Sequence, residues 1–136
     1  MPNRWLVKEE PTHYSFEDLL ADGKTVWEGI KNPLAQQHLR AMKKGDPVLY
    51  YHTGKEKAVV GIARAASDAF LDPKKKDGKS AAVEIEAVRR LPAPVPLAAI
   101  RTRPRLRKCP LVKNSRLSVM AVSEEEWKEI ESLARK

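Results

Sequence analysis

Cysteine is almost missing from this chain of 136 residues: Cys109 stands alone. One thiol can form no intrachain disulfide and cannot complete a structural zinc site. Histidine is scarce as well. His13, His38 and His52 show no metal-ligand spacing, so neither metal nor cofactor is expected. No apolar run reaches the length that spans a bilayer. The opening MPNRWLVKEE lacks the apolar core of a signal peptide. No membrane partner is therefore expected. The expected location is the cytoplasm, in association with the nucleoid, or the nucleus in a eukaryotic cell. Catalytic signatures are missing too: there is no G-x-S-x-G, no phosphate-binding loop and no G-x-G-x-x-G. Glu9 and Glu10 are neighbours in a strand pattern, so they point to opposite faces and cannot work as a carboxylate pair. Cys109 sits in a basic stretch that would favour its thiolate. No histidine lies near it in sequence, and it is read as an inert surface or half-buried thiol.

A second absence is more informative. From Ala87 to Ser123 there is no Asp or Glu, yet nine residues are basic: Arg89, Arg90, Arg101, Arg103, Arg105, Arg107, Lys108, Lys113 and Arg116. The whole chain carries a net charge of +8. Such asymmetry is the electrostatic footprint of a polyanionic partner, against the plainer reading of a solvated basic surface. Nucleic acid is the expected partner. Arg103, Arg105, Arg107, Lys108 and Arg116, with Lys31 from upstream, are the candidate phosphate contacts.

The length suits one domain, residues 1–136, with a single core. Its centre of organisation is Val26 to Thr53. There Asn32 is a good N-cap, and Pro33 suits the first helical position, where its missing N–H costs nothing. Ala35, Leu39 and Met42 make one apolar helical face. Arg40, Lys43 and Lys44 complement the helix C-terminus, Gly45 suits a left-handed cap, and Asp46-Pro47 stops the helix. Val48 to Thr53 follows as an aromatic strand.

Around that centre, Trp5 to Glu10 reads as a first strand and Ser15 with Asp18 as a capping box for a short helix. Gly54 to Lys57 connects a hairpin to a strand over Ala58–Ala66, where Gly61 marks a bulge or a close approach. Asp72 to Lys79 is a charged surface loop. Ala81 to Arg90 alternates as a strand, and Leu91 to Pro96 reads as a proline-fixed connector. Arg101 to Pro110 reads as a basic loop and Arg116 to Val122 as a late strand. Ser123 with Glu126 opens a final helix whose acids lie early and whose Arg135-Lys136 lie late. The expected fold class is α+β: a small, mixed, mostly antiparallel β-barrel flanked by helices.

Aromatic residues are few, so their positions count. Trp5 and Trp127 lie on regular apolar patterns and belong to the core. Trp27 precedes a capped helix in an apparent loop, off any apolar stripe. A base taken out of its stack needs an aromatic face and polar groups for its edge. Each stacked base contributes about 1–3 kcal/mol. Trp27 and Tyr51 can offer faces; Lys8, Asn32, Thr53 and Ser118 can offer donors and acceptors. His52, beside Tyr51, is the further candidate.

The run W-x-G-I-K-N-x-x-A from Trp27, then L-R-x-M-K-x-G-D from Leu39, then Y-H-T from Tyr51, resembles the EVE domain. The opening W-L-V-K-E-E-P-x-x-Y-S and the closing N-S-R-L-S-V-M resemble its two ends. Lys31 stands where that family often has Arg; Glu9 and Thr53 stand where it often has Ser. The resemblance covers nearly the whole chain. It implies a PUA-like barrel, akin to YTH and ASCH domains, with Trp27 in the pocket. It further implies a non-catalytic monomeric reader of DNA or RNA carrying a modified base, a modified cytosine being the base expected. The rival readings are a small ASCH-like enzyme acting on a nucleotide or RNA, and a protein–protein adaptor.

Overall fold

A computed structural model describes residues 3–74, 78, 80–114 and 116–134. Most of the lysine loop (Lys75, Lys76, Asp77 and Lys79), Ser115 of the closing motif, and Arg135-Lys136 lie outside the described residues. Seven strands are present: β1 (Arg4–Glu9), β2 (Lys24–Trp27), β3 (Pro47–His52), β4 (Ala58–Ala65), β5 (Phe70–Leu71), β6 (Ala81–Pro96) and β7 (Val119–Val122). They form a sheet in the order β2-β6-β4-β3-β1-β7, with β5 joined to β6. Only β1 and β3 pair in parallel, setting Val7 beside Tyr50 and Lys8 beside Tyr51. The α+β class holds, but the hydrogen-bonded path stays open. The helix α2 (Pro33–Ala41) touches both β7, at one end of that order, and β6, next to the other end. The sheet therefore curls towards itself, and α2 lies across the gap.

Local chemistry sets the helices. Ser15 Oγ accepts from Asp18 N–H at 3.1 Å while the Asp18 carboxylate accepts from Ser15 N–H at 2.9 Å, opening α1 (Phe16–Asp22). Asn32 Oδ1 accepts from Leu34 and Ala35 N–H at 2.9 and 3.0 Å, opening α2. The expected run of α2 to Lys44 is cut short at Ala41. Asp46 explains why: its carboxylate takes the Lys43 N–H at 3.0 Å, so that amide leaves the helical ladder. Ser123 and Glu126 form the second box, opening α5 (Glu124–Ala134).

Five expectations need correction. Trp27 is not in a loop: Lys24–Trp27 is an edge strand running antiparallel to Glu86–Val83 of β6. β6 does not stop at Arg90; it pairs with β4 as far as Val95 and Pro96. Pro92, Pro94 and Pro96 occur at every second position, so their missing donors face one edge. Pro92 and Pro94 fall where the register with β4 shifts between Val59↔Val95 and Gly61↔Arg90, so neither has a ladder partner in β4. The basic stretch is folded, not open. The helical turn that leads into it is present as α3 (Leu97–Arg101), a 3₁₀ turn (Pro104–Leu106) lies within it, and α4 (Pro110–Lys113) leads out of it. Leu106 and Cys109 are fully buried there, and burial raises the Cys109 thiol to about 11. It is neither a surface thiol nor a ready thiolate. The late strand β7 begins at Val119 rather than Arg116. Trp5 and Trp127 are buried in the core.

Candidate nucleic-acid interface

Trp27 is the last residue of β2. Beyond it the chain turns through Gly29, whose φ of 74° is left-handed. The turn is held from behind. Gly29 N–H donates to the buried carboxylate of Asp72 at 3.2 Å, and Ile30 C=O accepts from Gln36 Nε2 at 2.8 Å. The Trp27 ring meets Tyr50 edge-on, centroids 5.6 Å apart and planes at 80°. Tyr50 leans in turn on Phe16 at 5.4 Å. The Tyr50 hydroxyl donates to Tyr14 C=O at 2.7 Å, and burial pushes its pKa upward, so it stays a donor.

This support leaves Trp27 only 5% exposed. Its Nε1–H nevertheless has no acceptor, and it is the one buried side-chain nitrogen or oxygen among the described residues in that condition. Buried polar groups are normally paired, and leaving one unpaired costs about 1–3 kcal/mol. Trp27 borders a cavity of about 520 Å³ whose wall also holds Lys8, Glu9, Thr25, Glu28 and Ser118. That volume is within the ordinary range for a ligand pocket. Burial lowers the Lys8 pKa. Glu9 meets His13 at 3.2 Å and Glu28 meets Lys74 at 2.6 Å, so both carboxylates are fixed in direction. The cavity thus sets the Trp27 ring beside the Lys8 ammonium, the carboxylates of Glu9 and Glu28 and the Ser118 hydroxyl.

The other expected base-pocket residues are dispersed. Tyr51 does not reach Trp27; Tyr50 does. A register shift between Tyr50 and Tyr51 and a β3 covered on both faces defeat simple alternation. Tyr51 instead lies over Lys8, whose Nζ is 5.7 Å from its ring centroid, and with Thr53 borders a second, smaller cavity. His52 faces a third hollow. Its Nε2 accepts from Phe16 N–H at 3.0 Å and its Nδ1 donates to Glu56 at 2.7 Å, so both ring nitrogens are engaged in the fold. Asn32 is exposed, outside the Trp27 cavity, and its side-chain oxygen caps α2. Glu9, Tyr14, Thr25, Glu28 and Tyr50 went unrecognised in the sequence. Glu28, inside W-x-G-I-K-N, was the one with a signal to find.

The cations divide too. Lys31 and Arg116 are exposed, close in sequence to the cavity residues Ile30 and Ser118. Arg107 and Lys108 are also exposed. Arg103 is paired with Glu129 at 3.6 Å, and Arg105 shares a hollow with Glu124, Glu125 and Glu129. Those two arginines face helix α5 and its acids. Among the described residues, no group of three or more His, Cys, Asp and Glu is placed to hold a metal.

The sequence model of the EVE domain matches residues 3–133. The chain belongs to the EVE domain family. A protein of Rhodopseudomonas palustris with this fold is 41% identical, with a TM-score of 0.94 over 98% of this chain and 93% of the other. Human thymocyte nuclear protein 1 is 29% identical over 170 residues, spanning 100% of this EVE chain and 76% of the human one. The crystal structure of human THYN1 in complex with DNA containing 5-methylcytosine has a TM-score of 0.90 at 28% identity, covering 98% of each chain. An ASCH protein of Zymomonas mobilis, at 15% identity and a TM-score of 0.59, shares the fold alone. Among the described residues, no helix of the EVE chain is long and apolar enough to cross a membrane.

Proposed function

We propose that this EVE domain is a non-catalytic reader of DNA that receives a modified cytosine, flipped from its stack, in the Trp27 cavity. The observation that carries the reading is Trp27 itself, which borders a base-sized cavity while its buried Nε1–H has no partner among the described residues. A base edge carries both donors and acceptors. The cytosine ring nitrogen and carbonyl would accept from Trp27 and Lys8, and its amino group would donate to Glu9 or Glu28. Ser118 completes the rim. Asn32 acts indirectly, by fixing the start of α2. The human relative bound to 5-methylcytosine DNA supports the choice of base.

Lys31 and Arg116 hold phosphates at the cavity mouth, and Arg107 and Lys108 supply longer-range attraction. Such contacts position the strand without reading its sequence. In this reading the protein acts as a monomer on the DNA of the cytoplasm, or of the nucleus in a eukaryote. Binding curves on duplexes with and without 5-methylcytosine, and on matched RNA, test it at two salt concentrations. A preference for the modified duplex is expected, and Trp27→Phe lowers that preference about tenfold while salt-dependent background binding survives. Equal affinity for modified and unmodified duplexes would reject the reading. Turnover of a nucleoside, seen by mass spectrometry, would replace it with the ASCH-like enzyme.

A further inference from the structure

On the far side of Lys8 from the Trp27 cavity lies the smaller one, of about 180 Å³, which the base-reading scheme leaves unused. It is much the smaller of the two and has room for a tetrahedral anion. Three cationic side chains border it: Lys8 from β1, Lys57 from the β3–β4 turn, and Arg101 from the end of α3. No carboxylate belongs to its lining. Glu10 lies against Gly54 at one edge, leaving an excess of positive charge. Among the described residues neither Lys57 nor Arg101 takes part in an ion pair. Thr53 supplies a hydroxyl, and Leu97 and Leu111 supply apolar walls that weaken solvent screening.

The backbone at Lys57 is unusual as well. Its φ of 47° makes it the one described non-glycine residue in the left-handed region. The conformation is locked, because Lys57 C=O accepts from Leu97 N–H at 2.8 Å. Strain of this kind concentrates at functional sites. Here it fixes the stem of one cation beside the cavity.

We propose that this cavity binds a phosphate group through Lys57, Arg101 and Lys8. The group is either a backbone phosphodiester of a bound strand or the phosphate of a free nucleotide. The site does not depend on the base reading, though Lys8 borders both cavities and would let one strand engage both.

The test uses the intact chain and the double variant Lys57→Gln/Arg101→Gln, both changes being on exposed side chains. Inorganic phosphate is titrated while amide resonances are followed by NMR, with chloride at matched ionic strength as control. Saturable shifts at Thr53, Gly54 and Lys57 are expected in the wild type and should vanish in the double variant. Their absence beyond the chloride control, or their survival in the double variant, overturns the proposal. Oligonucleotide affinity then identifies the source. If the phosphate belongs to the strand, the double variant weakens modified and unmodified DNA alike, and the salt slope flattens by about 1 unit. If DNA affinity is unchanged while the phosphate shifts are lost, the site takes a free nucleotide. Trp27→Phe, which tests base reading, leaves the phosphate shifts intact, so the two readings fail separately.

Discussion

Trp5 and Trp27 look alike by burial, at 3% and 5% exposed. Each meets another ring edge-on, Trp5 against His38 at 5.7 Å and Trp27 against Tyr50 at 5.6 Å. They differ at one atom. The Trp5 indole donates to Asp46 at 2.9 Å, where the same carboxylate oxygen terminates α2 through Lys43. The Trp27 indole donates to nothing among the described residues. Burial therefore does not separate the two tryptophans; the accounting of donors does. Trp5 is tied to the turn before β3, and the Trp27 donor is the feature on which the proposed base reading rests.

The largest expected effect breaks the likeness in the wrong place. Trp5→Ala and Trp27→Ala should each lower stability by about 3–5 kcal/mol, since both remove a packed indole. That is a large share of the roughly 5–15 kcal/mol that holds a domain. Thermal melts should show both falling together. If Trp27→Ala leaves the melting temperature unchanged, its ring is not packed against Tyr50 as described here.

Phenylalanine sharpens the contrast. Trp5→Phe keeps most of the packing but removes one of the two donors to the buried Asp46 carboxylate, leaving the Lys43 N–H, and should cost about 1.5–3 kcal/mol, as for a lost bond to a charged group. Trp27→Phe loses no internal hydrogen bond and should cost less than about 1 kcal/mol beyond the change in ring size. Binding should show the reverse. Trp27→Phe should lower the preference for 5-methylcytosine DNA about tenfold, as one hydrogen bond of about 1.4 kcal/mol would. Trp5→Phe should leave that preference unchanged in the folded protein. Chemical denaturation and paired binding curves on both variants decide it.

A third change acts on the support behind Trp27. A Cβ at Gly61 would lie 2.4–2.6 Å from three carbons of the Phe16 ring. Phe16 leans on Tyr50, and Tyr50 on Trp27. Gly61→Ala should cost about 1–3 kcal/mol by overpacking and should weaken the modified-base preference through the displaced stack. A loss of stability with the preference fully retained would show that Trp27 is positioned independently of Phe16.

How much of this was legible in the sequence depended on how local the cause was. Asn32-Pro33, Ser15 with Asp18, and Ser123 with Glu126 announced their helices because a cap is complete within four residues. Gly61 announced a close approach, though not that Phe16 would fill it. β2 stayed hidden because a four-residue edge strand is defined by its partner, Val83–Glu86, about sixty residues away. Tyr50 stays hidden as the ring that meets Trp27 because alternation assumes one solvated face, and β3 has none. Arg103 and Arg105 counted as phosphate contacts in a linear charge tally. The acids facing them lie on α5, and only the fold brings the two together. Trp27 itself stood out from sequence, but its unpaired donor could not: an absent partner is visible only when every neighbour has been placed.

The smallest effect concerns Lys8, the second donor of the Trp27 cavity. Burial lowers its pKa below the ordinary lysine value of 10.5, with Cys109 opposing that shift weakly. Between the lowered value and 10.5 the native chain holds fewer protons than the unfolded chain. Stability from Lys8 should therefore rise with pH across that window. Cys109 works in the opposite direction. Its buried thiol ionises at about 11, the unfolded thiol at about 9, so its contribution falls with pH between those values. The melts should accordingly be read in a Cys109→Ala background. DNA binding should move against stability, weakening as Lys8 discharges. Lys8→Arg, which keeps its charge throughout, should hold affinity over the same window. If affinity in Lys8→Arg falls with pH just as in the wild type, Lys8 is not the donor that the ligand meets beside Trp27.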